Sequence, residues 1–141
     1  SANSGKIIFT KSGTATLSGT STFHRLEIQN GTTLSIQSGS SVRIIDTLIE
    51  SGYITGIVLK TENITVPGKK YYFGGIGSKI QIGSTDDSLG IVTILRESFA
   101  DTVPPGFSRT DAVRRRYELN AGKKLTNAEV EFSFNSIFKK F

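Results

Sequence analysis

The chain has 141 residues, a length that suits one domain or two small units that share a core. It contains no cysteine, so disulfides, thiolate metal sites and cysteine nucleophiles are excluded. The net charge is +5, from 17 basic and 12 acidic residues spread along the chain, which predicts a solvated surface and no nucleic-acid partner. No apolar run approaches the roughly 18 residues that a membrane-spanning helix needs.

Residues 7–57 alternate apolar and polar positions and are punctuated by glycine at short intervals. A period of two is typical of half-buried strands, and the signals that start a helix are missing. The pattern therefore predicts a series of short strands, each closed by a turn. They span residues 15–19, 23–28, 33–36 and 42–49, and a fifth strand begins at Tyr53.

Two arrangements of these strands fit the pattern. Asn30-Gly31 is a strong hairpin signal, and hairpins would produce an antiparallel meander. The alternative is a short parallel β-helix, or β-solenoid, in which each strand stacks on the next rung. We favour the β-helix because the strands stay short and the same apolar run recurs before Ser-Gly or Asn-Gly. Its inward-facing residues would be Leu17, Leu26, Ile28, Leu34, Ile36, Val42, Ile44 and Leu48.

The sequence changes after Gly56, where strands lengthen and aromatic residues gather. We therefore predict an all-β chain of two units, a β-helix segment over residues 1–56 and a small antiparallel β-sandwich over residues 57–141. Pro104-Pro105-Gly106 marks a loop, and a helical turn is expected near Thr110. The predicted strands of the second unit are 57–61, 70–73, 79–82, 90–97, 112–120 and 128–134.

Residues 23–34 read FHRLEIQNGTTL, which resembles the repeat F-x-x-L-x-I-x-N-G-x-x-L of very large secreted or cell-surface proteins of Bacteroidetes-type bacteria. The second unit continues the likeness in a glycine-bearing segment and three strands, at residues 72–77, 92–96, 115–119 and 130–134. The resemblance implies a β-helical repeat or sandwich module in an extracellular scaffold, with adhesion as its usual role. Arg116 departs from the family pattern, which carries an aromatic residue at that place.

Tyr71 and Tyr72 follow Lys69 and Lys70 in an aromatic, basic segment. Aromatic faces can stack on sugar rings, and the lysines could hold acidic glycans, so these four residues are a candidate glycan or surface-ligand site. Alternation along a strand places Tyr71 and Phe73 on one face and Tyr72 on the other. One of the two faces is expected to belong to the core.

Arg115 shares a strand face with apolar neighbours between residues 113 and 119. An unpaired charge among apolar residues is costly, so an arginine there needs an acidic partner. We predict a structural ion pair made by Arg115, or by Arg96 on the neighbouring strand. The acids that the pattern favours as partners are Glu97, Glu118 and Glu131.

The residue types that catalysis needs form no recognisable pattern. His24 is the one histidine, and no G-x-S-x-G turn occurs. The glycines within residues 74–77 precede a predicted strand, whereas a phosphate loop needs a following helix. Asp86 and Asp87 lack the spacing of a calcium loop, so a plain turn is expected there.

Together these observations predict a non-enzymatic structural or adhesive module of a larger secreted or cell-surface bacterial protein, with no metal and no cofactor. A carbohydrate-binding module is one alternative, which uses Tyr71, Tyr72, Lys69 and Lys70. A self-assembling filament subunit is another, because open sheet edges are templates for pairing with a second copy.

Overall fold

The computed structural model describes residues 5–83, 88–99, 115–122, 128–134 and 137–140, with backbone alone from residue 133 onwards. These residues form twelve strands and no helix, so the prediction of an all-β chain is confirmed. The strands are β1 (Lys6–Phe9), β2 (Gly13–Leu17), β3 (Thr20–Ile28), β4 (Thr32–Ile36), β5 (Ser41–Glu50), β6 (Tyr53–Ile64), β7 (Lys70–Tyr72), β8 (Ser78–Ile82), β9 (Gly90–Ser98), β10 (Arg115–Ala121), β11 (Ala128–Phe134) and β12 (Ile137–Lys140).

The first six strands pair in parallel, and apart from β5 and β6 the paired strands are not neighbours in sequence. One series runs β1-β3-β5-β6, and the other runs β2-β4-β6, so the long strand β6 belongs to both. Asn30-Gly31 joins β3 to β4, and these two strands are not paired with each other. The turn therefore does not close a hairpin, although Gly31 has the positive φ of 85° that a tight turn uses.

The parallel registers repeat at similar intervals in both series, except between β5 and β6, where Ser41 lies opposite Ile57 and the separation is shorter. Lys6 lies opposite Arg25 and Gly13 lies opposite Thr32, so the sequence separation between partners is the same in both pairs. The separation is one position longer where Thr33 lies opposite Tyr53. Between β3 and β5 it grows by one position at an irregularity between Phe23 and Arg25. Successive strands therefore stack residues of like chemistry upon one another.

The residues predicted to face inward form the core of the parallel strands. Seven of the eight are buried, with exposures from 0% to 5%. Leu17 is partly buried, because β2 is paired on one side only among the described strands. Alternation along each strand therefore identifies the core face correctly.

Gly56 marks the point at which β6 changes its partner. Residues 53–55 pair with β4, and residues 57–60 pair with β5. At Gly56 φ is 101°, and a side chain there would place its Cβ 2.6 Å from the carbonyl oxygen of Ile36. The predicted boundary between two units thus falls inside one continuous strand, and the division at that point stays a prediction.

The remaining strands pair in antiparallel fashion. β9 lies between β6 and β10, and a second sheet has the order β12-β11-β8-β7. Five predicted strands coincide with β6, β7, β8, β9 and β11 apart from their ends, and the predicted strand at 112–120 overlaps β10. β1 and β12 were not anticipated by the alternation pattern. The predicted loop at 102–107 and the turn near Thr110 lie outside the described residues.

The tight packing at Gly56 leads to a stability prediction with a matched control. Gly19 also has a positive φ, 82°, but a Cβ there would meet no atom within 4 Å. We expect Gly19→Ala to lower the free energy of unfolding by about 1–3 kcal/mol through backbone strain. Gly56→Ala is expected to cost about 1–3 kcal/mol more, because its Cβ overlaps Ile36. Urea denaturation measures both, and equal losses would contradict the close packing.

Candidate functional site

Arg96 is buried in the interior of the protein. It lies on the inward face of β9 with Val92 and Ile94, and its exposure is 0%. Its Nη2 donates a hydrogen bond to Oε2 of Glu50 at 2.6 Å, and its Nη1 reaches Oε1 of the same carboxylate at 3.4 Å. Nη1 also donates to the carbonyl oxygen of Ile76 at 3.3 Å. The guanidinium is therefore held by both a charged and a backbone acceptor.

Arg115 approaches the same carboxylate from the neighbouring strand β10. Its Nη2 donates to Oε1 of Glu50 at 2.7 Å. The side chain of Glu50 is 13% exposed, and that of Arg115 is 23% exposed. We call Glu50, Arg96 and Arg115 the arginine–glutamate cluster. It joins the end of β5 to β9 and β10, which are distant from β5 in sequence.

Tyr117 extends this cluster towards the second sheet. It lies opposite Arg96 in the register of β9 and β10, and its hydroxyl donates to the carbonyl oxygen of Ile76 at 3.3 Å. Its ring centroid is 4.7 Å from that of Phe132 on β11. Burial raises the pKa of Tyr117, and the nearby charges of Arg115 and Arg96 offset part of that rise.

The glycine run before β8 brings a carbonyl group to the cluster. The carbonyl oxygen of Gly74 accepts a hydrogen bond from the backbone N–H of Leu48 on β5. Gly75 approaches β5 so closely that a Cβ on it would overlap the carbonyl oxygen of Leu48. Because the backbone packs directly on β5, the carbonyl of Ile76 reaches Arg96. The run forms a turn with a packing role, as its position before a strand indicates.

Both arginines named in the sequence analysis therefore make ion pairs, but they share an acid that the pattern did not favour. Glu118 instead contacts Arg116 at 2.9 Å, and Glu131 contacts Lys79 at 2.8 Å. Arg116 and Glu118 lie on the opposite face of β10 from Arg115, where they are exposed. Glu50 is distant from Arg96 in sequence, so the strand topology alone brings the two together.

The four residues predicted to bind a glycan are divided between the core and the surface. Tyr71 is buried at 8% exposure, and its phenol oxygen accepts hydrogen bonds from the N–H groups of Thr65 and Val66. The Nζ atom of Lys69 lies over the ring of Tyr71, 4.9 Å from its centroid. Although burial raises the pKa of Tyr71, the two N–H donors and the charge of Lys69 outweigh it and bring the pKa below its usual value. Tyr71 thus anchors the segment before β7.

Tyr72 faces the opposite way and is 59% exposed. Lys70 shares its face on β7, and Lys79 lies opposite Tyr72 on β8 with its Nζ 5.8 Å from the ring centroid. The side-chain hydrogen bond to Glu131 raises the pKa of Lys79, so its ammonium group stays charged beside the ring. We call Tyr72, Lys70 and Lys79 the Tyr72 surface. It offers an open aromatic face beside hydrogen-bond donors.

No group of three or more histidine, aspartate or glutamate side chains in the described part of the chain is placed to hold a metal ion. Asp86 and Asp87 lie outside the described residues. Nor does any described segment form a helix that is long and apolar enough to cross a membrane.

Comparison with known proteins adds no relative: no protein-family model matches the chain, and no curated protein or solved structure is significantly similar to it. The arginine–glutamate cluster and the Tyr72 surface must therefore be interpreted from their own chemistry.

Removing the charge of Glu50 tests whether the cluster holds the fold together. Glu50→Gln keeps the shape of the side chain but leaves Arg96 buried without that carboxylate, so we expect the free energy of unfolding to fall by about 3–5 kcal/mol. Glu97→Gln is the control, because Glu97 pairs with the exposed Arg116 and should cost less than about 1 kcal/mol. Equal losses in urea denaturation would contradict a special role for Glu50.

The opposite pKa shifts of Tyr71 and Tyr117 predict the order in which their phenols ionise. Phenolate absorbance followed at increasing pH should lose a phase at lower pH in Tyr71→Phe than in Tyr117→Phe, because donated hydrogen bonds favour the Tyr71 phenolate. The phase that Tyr117→Phe removes should lie at higher pH, because burial disfavours the charged form of Tyr117. Ionisation of Tyr117 at lower pH than Tyr71 would contradict the environments described for the two phenols.

Proposed function

We propose that the chain is a non-enzymatic structural or adhesive module of a larger secreted or cell-surface protein. It is built as a short parallel β-helix segment whose last rung continues into antiparallel strands. One observation carries this proposal: both parallel series begin with the same sequence separation between partners, in β1–β3 and in β2–β4. A common separation on two faces is what a coil of stacked rungs requires.

The corners between strands support the same interpretation. The N–H of Gly13 donates to the carbonyl oxygen of Gly31, and the N–H of Gly52 donates to that of Ile28. On the other side the N–H of Gly19 donates to Oγ of Ser40 at 2.8 Å. Small residues therefore lie at successive corners and bond to the corner of the next rung. Such corners let the backbone of one rung lie directly on the next.

The use of charged side chains supports a structural role. The buried guanidinium of Arg96 connects Glu50 with the carbonyl of Ile76, and thereby β5, β9 and the turn before β8. Lys60, at 4% exposure, is held by Glu62 on the same strand at 2.7 Å. The contacts of Arg96 fix strands against one another, and that of Lys60 pairs a buried charge within β6. The charged groups of Arg96 and Lys60 are therefore bonded within the protein and are not presented to a substrate.

The resemblance to large secreted repeat proteins gives the proposed location. The segment FHRLEIQNGTTL covers most of β3, the turn at Asn30-Gly31 and the start of β4. The segment thus leads from a strand of one parallel series, through a turn, into a strand of the other series, as a repeat of such a scaffold would. An extracellular module of this kind would act through its shape and its surfaces.

A carbohydrate-binding module is the second candidate, and the Tyr72 surface is the observation that favours it. The ring of Tyr72 is 59% exposed, and Lys70 and Lys79 flank it. An exposed ring can stack on a sugar, and the ammonium group of Lys70 would favour an acidic one, whereas that of Lys79 is paired with Glu131. Tyr71 would take no direct part, because its ring is buried beneath Lys69.

A glycan array distinguishes the two candidates. Under the structural proposal, the wild-type chain gives no glycan signal above that of Tyr72→Ala. The matched control is Tyr53→Ala, since Tyr53 is also an exposed tyrosine, at 71%, on a different strand. A glycan signal that Tyr72→Ala abolishes and Tyr53→Ala retains would replace the structural proposal with carbohydrate binding.

A further inference from the structure

The end of the stack formed by β1 and β2 exposes residues that are buried one rung further on. Ile7 lies opposite Leu26, yet Ile7 is 48% exposed and Leu26 is 0% exposed. Leu17 lies opposite Ile36, and it is partly buried where Ile36 is 5% exposed. Among the described strands, none pairs with the outer edge of β1 or β2. An apolar layer and two strand edges therefore meet at this end.

The sheet edges differ in how they are protected against pairing with another chain. The edge strand β10 carries exposed Arg116 and Glu118, and β7 carries exposed Lys70 after Pro67. Charges and proline of this kind discourage further strand addition. β2 has neither, and β1 has two exposed isoleucines, Ile7 and Ile8, after a single lysine. Of the edges formed by β1, β2, β7 and β10, those of β1 and β2 are thus the ones that can accept another strand.

We propose that this end binds the same end of a second copy, head to head, and forms a closed two-fold dimer. An added strand keeps each sheet continuous when inward-facing residues lie opposite inward-facing residues. For antiparallel β1 strands, this condition is met with Ile8 opposite Ile8 of the second copy and Ile7 opposite Phe9. For β2 it is met with Ala15 opposite Ala15.

The charges at this end are compatible with a second copy. Lys6 forms an ion pair with Glu27 of its own chain at 2.8 Å, and in the stated register it lies opposite Thr10. β2 has the sequence GTATL and brings no charge to the contact. The corner with Lys11 lies at one end of the contact, and the two-fold axis places its counterpart at the other end. In this register Lys11 of one copy lies next to Lys6 of the other, and the ion pair of Lys6 with Glu27 offsets their repulsion.

Closure at two copies follows from the symmetry. Ile8 and Ala15 lie in the middle of their strands on either side of the corner at residues 10–12, so one axis across both sheets can relate both pairs. A contact of this isologous type is complete with two copies.

The contact is small. The strands β1 and β2 have four and five residues and are about 15 Å long, and packed sheets lie about 10 Å apart. The area buried on each partner is therefore smaller than the ~800 Å² of a standard interface. We therefore expect a reversible dimer. The inference does not rest on the proposed function, because it uses β1 and β2 alone.

Sedimentation velocity of the 141-residue chain over a concentration series tests the proposal. The wild-type chain should convert from monomer to dimer as concentration rises, and growth should stop at two copies. Ile8→Lys places two ammonium groups at the axis and should weaken the dimer at least tenfold. Ile91→Lys is the control, because Ile91 is also an exposed isoleucine, at 60%, on β9. A wild-type monomer throughout, growth beyond two copies, or an unaffected Ile8→Lys dimer would each overturn it.

A single cysteine gives a second measurement that does not depend on a weakened fold. The chain has no cysteine, so Ile8→Cys introduces one thiol per copy. Residues directly opposite in antiparallel strands have Cα atoms about 4.5–5.5 Å apart, which a disulfide can bridge. Mild oxidation should cross-link Ile8→Cys into a dimer much faster than Ile91→Cys. Equal rates for the two variants would overturn the proposed contact.

Discussion

Parallel backbone pairing among the first six strands is the constraint on which the rest of the structure depends. Leu34 lies opposite Ala15 on one side and Ile54 on the other, so its strand is bonded along both edges. Buried N–H and C=O groups must be paired, and here each parallel strand supplies the partners of the strand beside it. The same register stacks apolar residues in columns. It also forces the backbone of successive corners into close contact, which small residues such as Gly56 permit.

The two ends of the stack meet this constraint in different ways. After Gly56, β6 pairs in parallel with β5 along one edge and in antiparallel fashion with β9 along the other, and the described strands that follow β6 pair only in antiparallel fashion. Glu50, Arg96 and Arg115 hold this end together through charge-assisted hydrogen bonds. At the β1–β2 end the ion pair of Lys6 with Glu27 lies near the surface, and the side chain of Ile7 stays exposed. One end is therefore fixed by buried charges, and the other presents an apolar edge.

This asymmetry connects the fold with its proposed role. A module whose charged residues are engaged in holding strands together acts through the surfaces it presents. Two such surfaces stand out, the ring of Tyr72 beside Lys70 and Lys79, and the strand edges of β1 and β2. The first suits a sugar, and the second suits a strand from another copy. Either contact is compatible with adhesion between surfaces.

Local pattern predicts the strands and their buried faces well. Alternation identifies Leu26, Ile28 and Leu34 as core, and it separates buried Tyr71 from exposed Tyr72. It does not decide strand direction, because alternating residues around Asn30-Gly31 fit a hairpin and a rung equally. Nor does it identify Glu50 as the partner of Arg96, since their contact exists only after β5 and β9 are placed by the topology. β1 is missed because the consecutive apolar residues Ile7, Ile8 and Phe9 interrupt the alternation that the rest of residues 7–57 shows.

Nuclear Overhauser effects between backbone protons of isotope-labelled protein test the parallel stacking most directly. Stacked rungs predict contacts that join Leu34 to Ala15 and to Ile54, which lie one rung before it and one rung after it in sequence. A hairpin across Asn30-Gly31 would instead give contacts between Ile28 and Thr33. Finding the first set establishes the rung register in solution, and finding the second would contradict it.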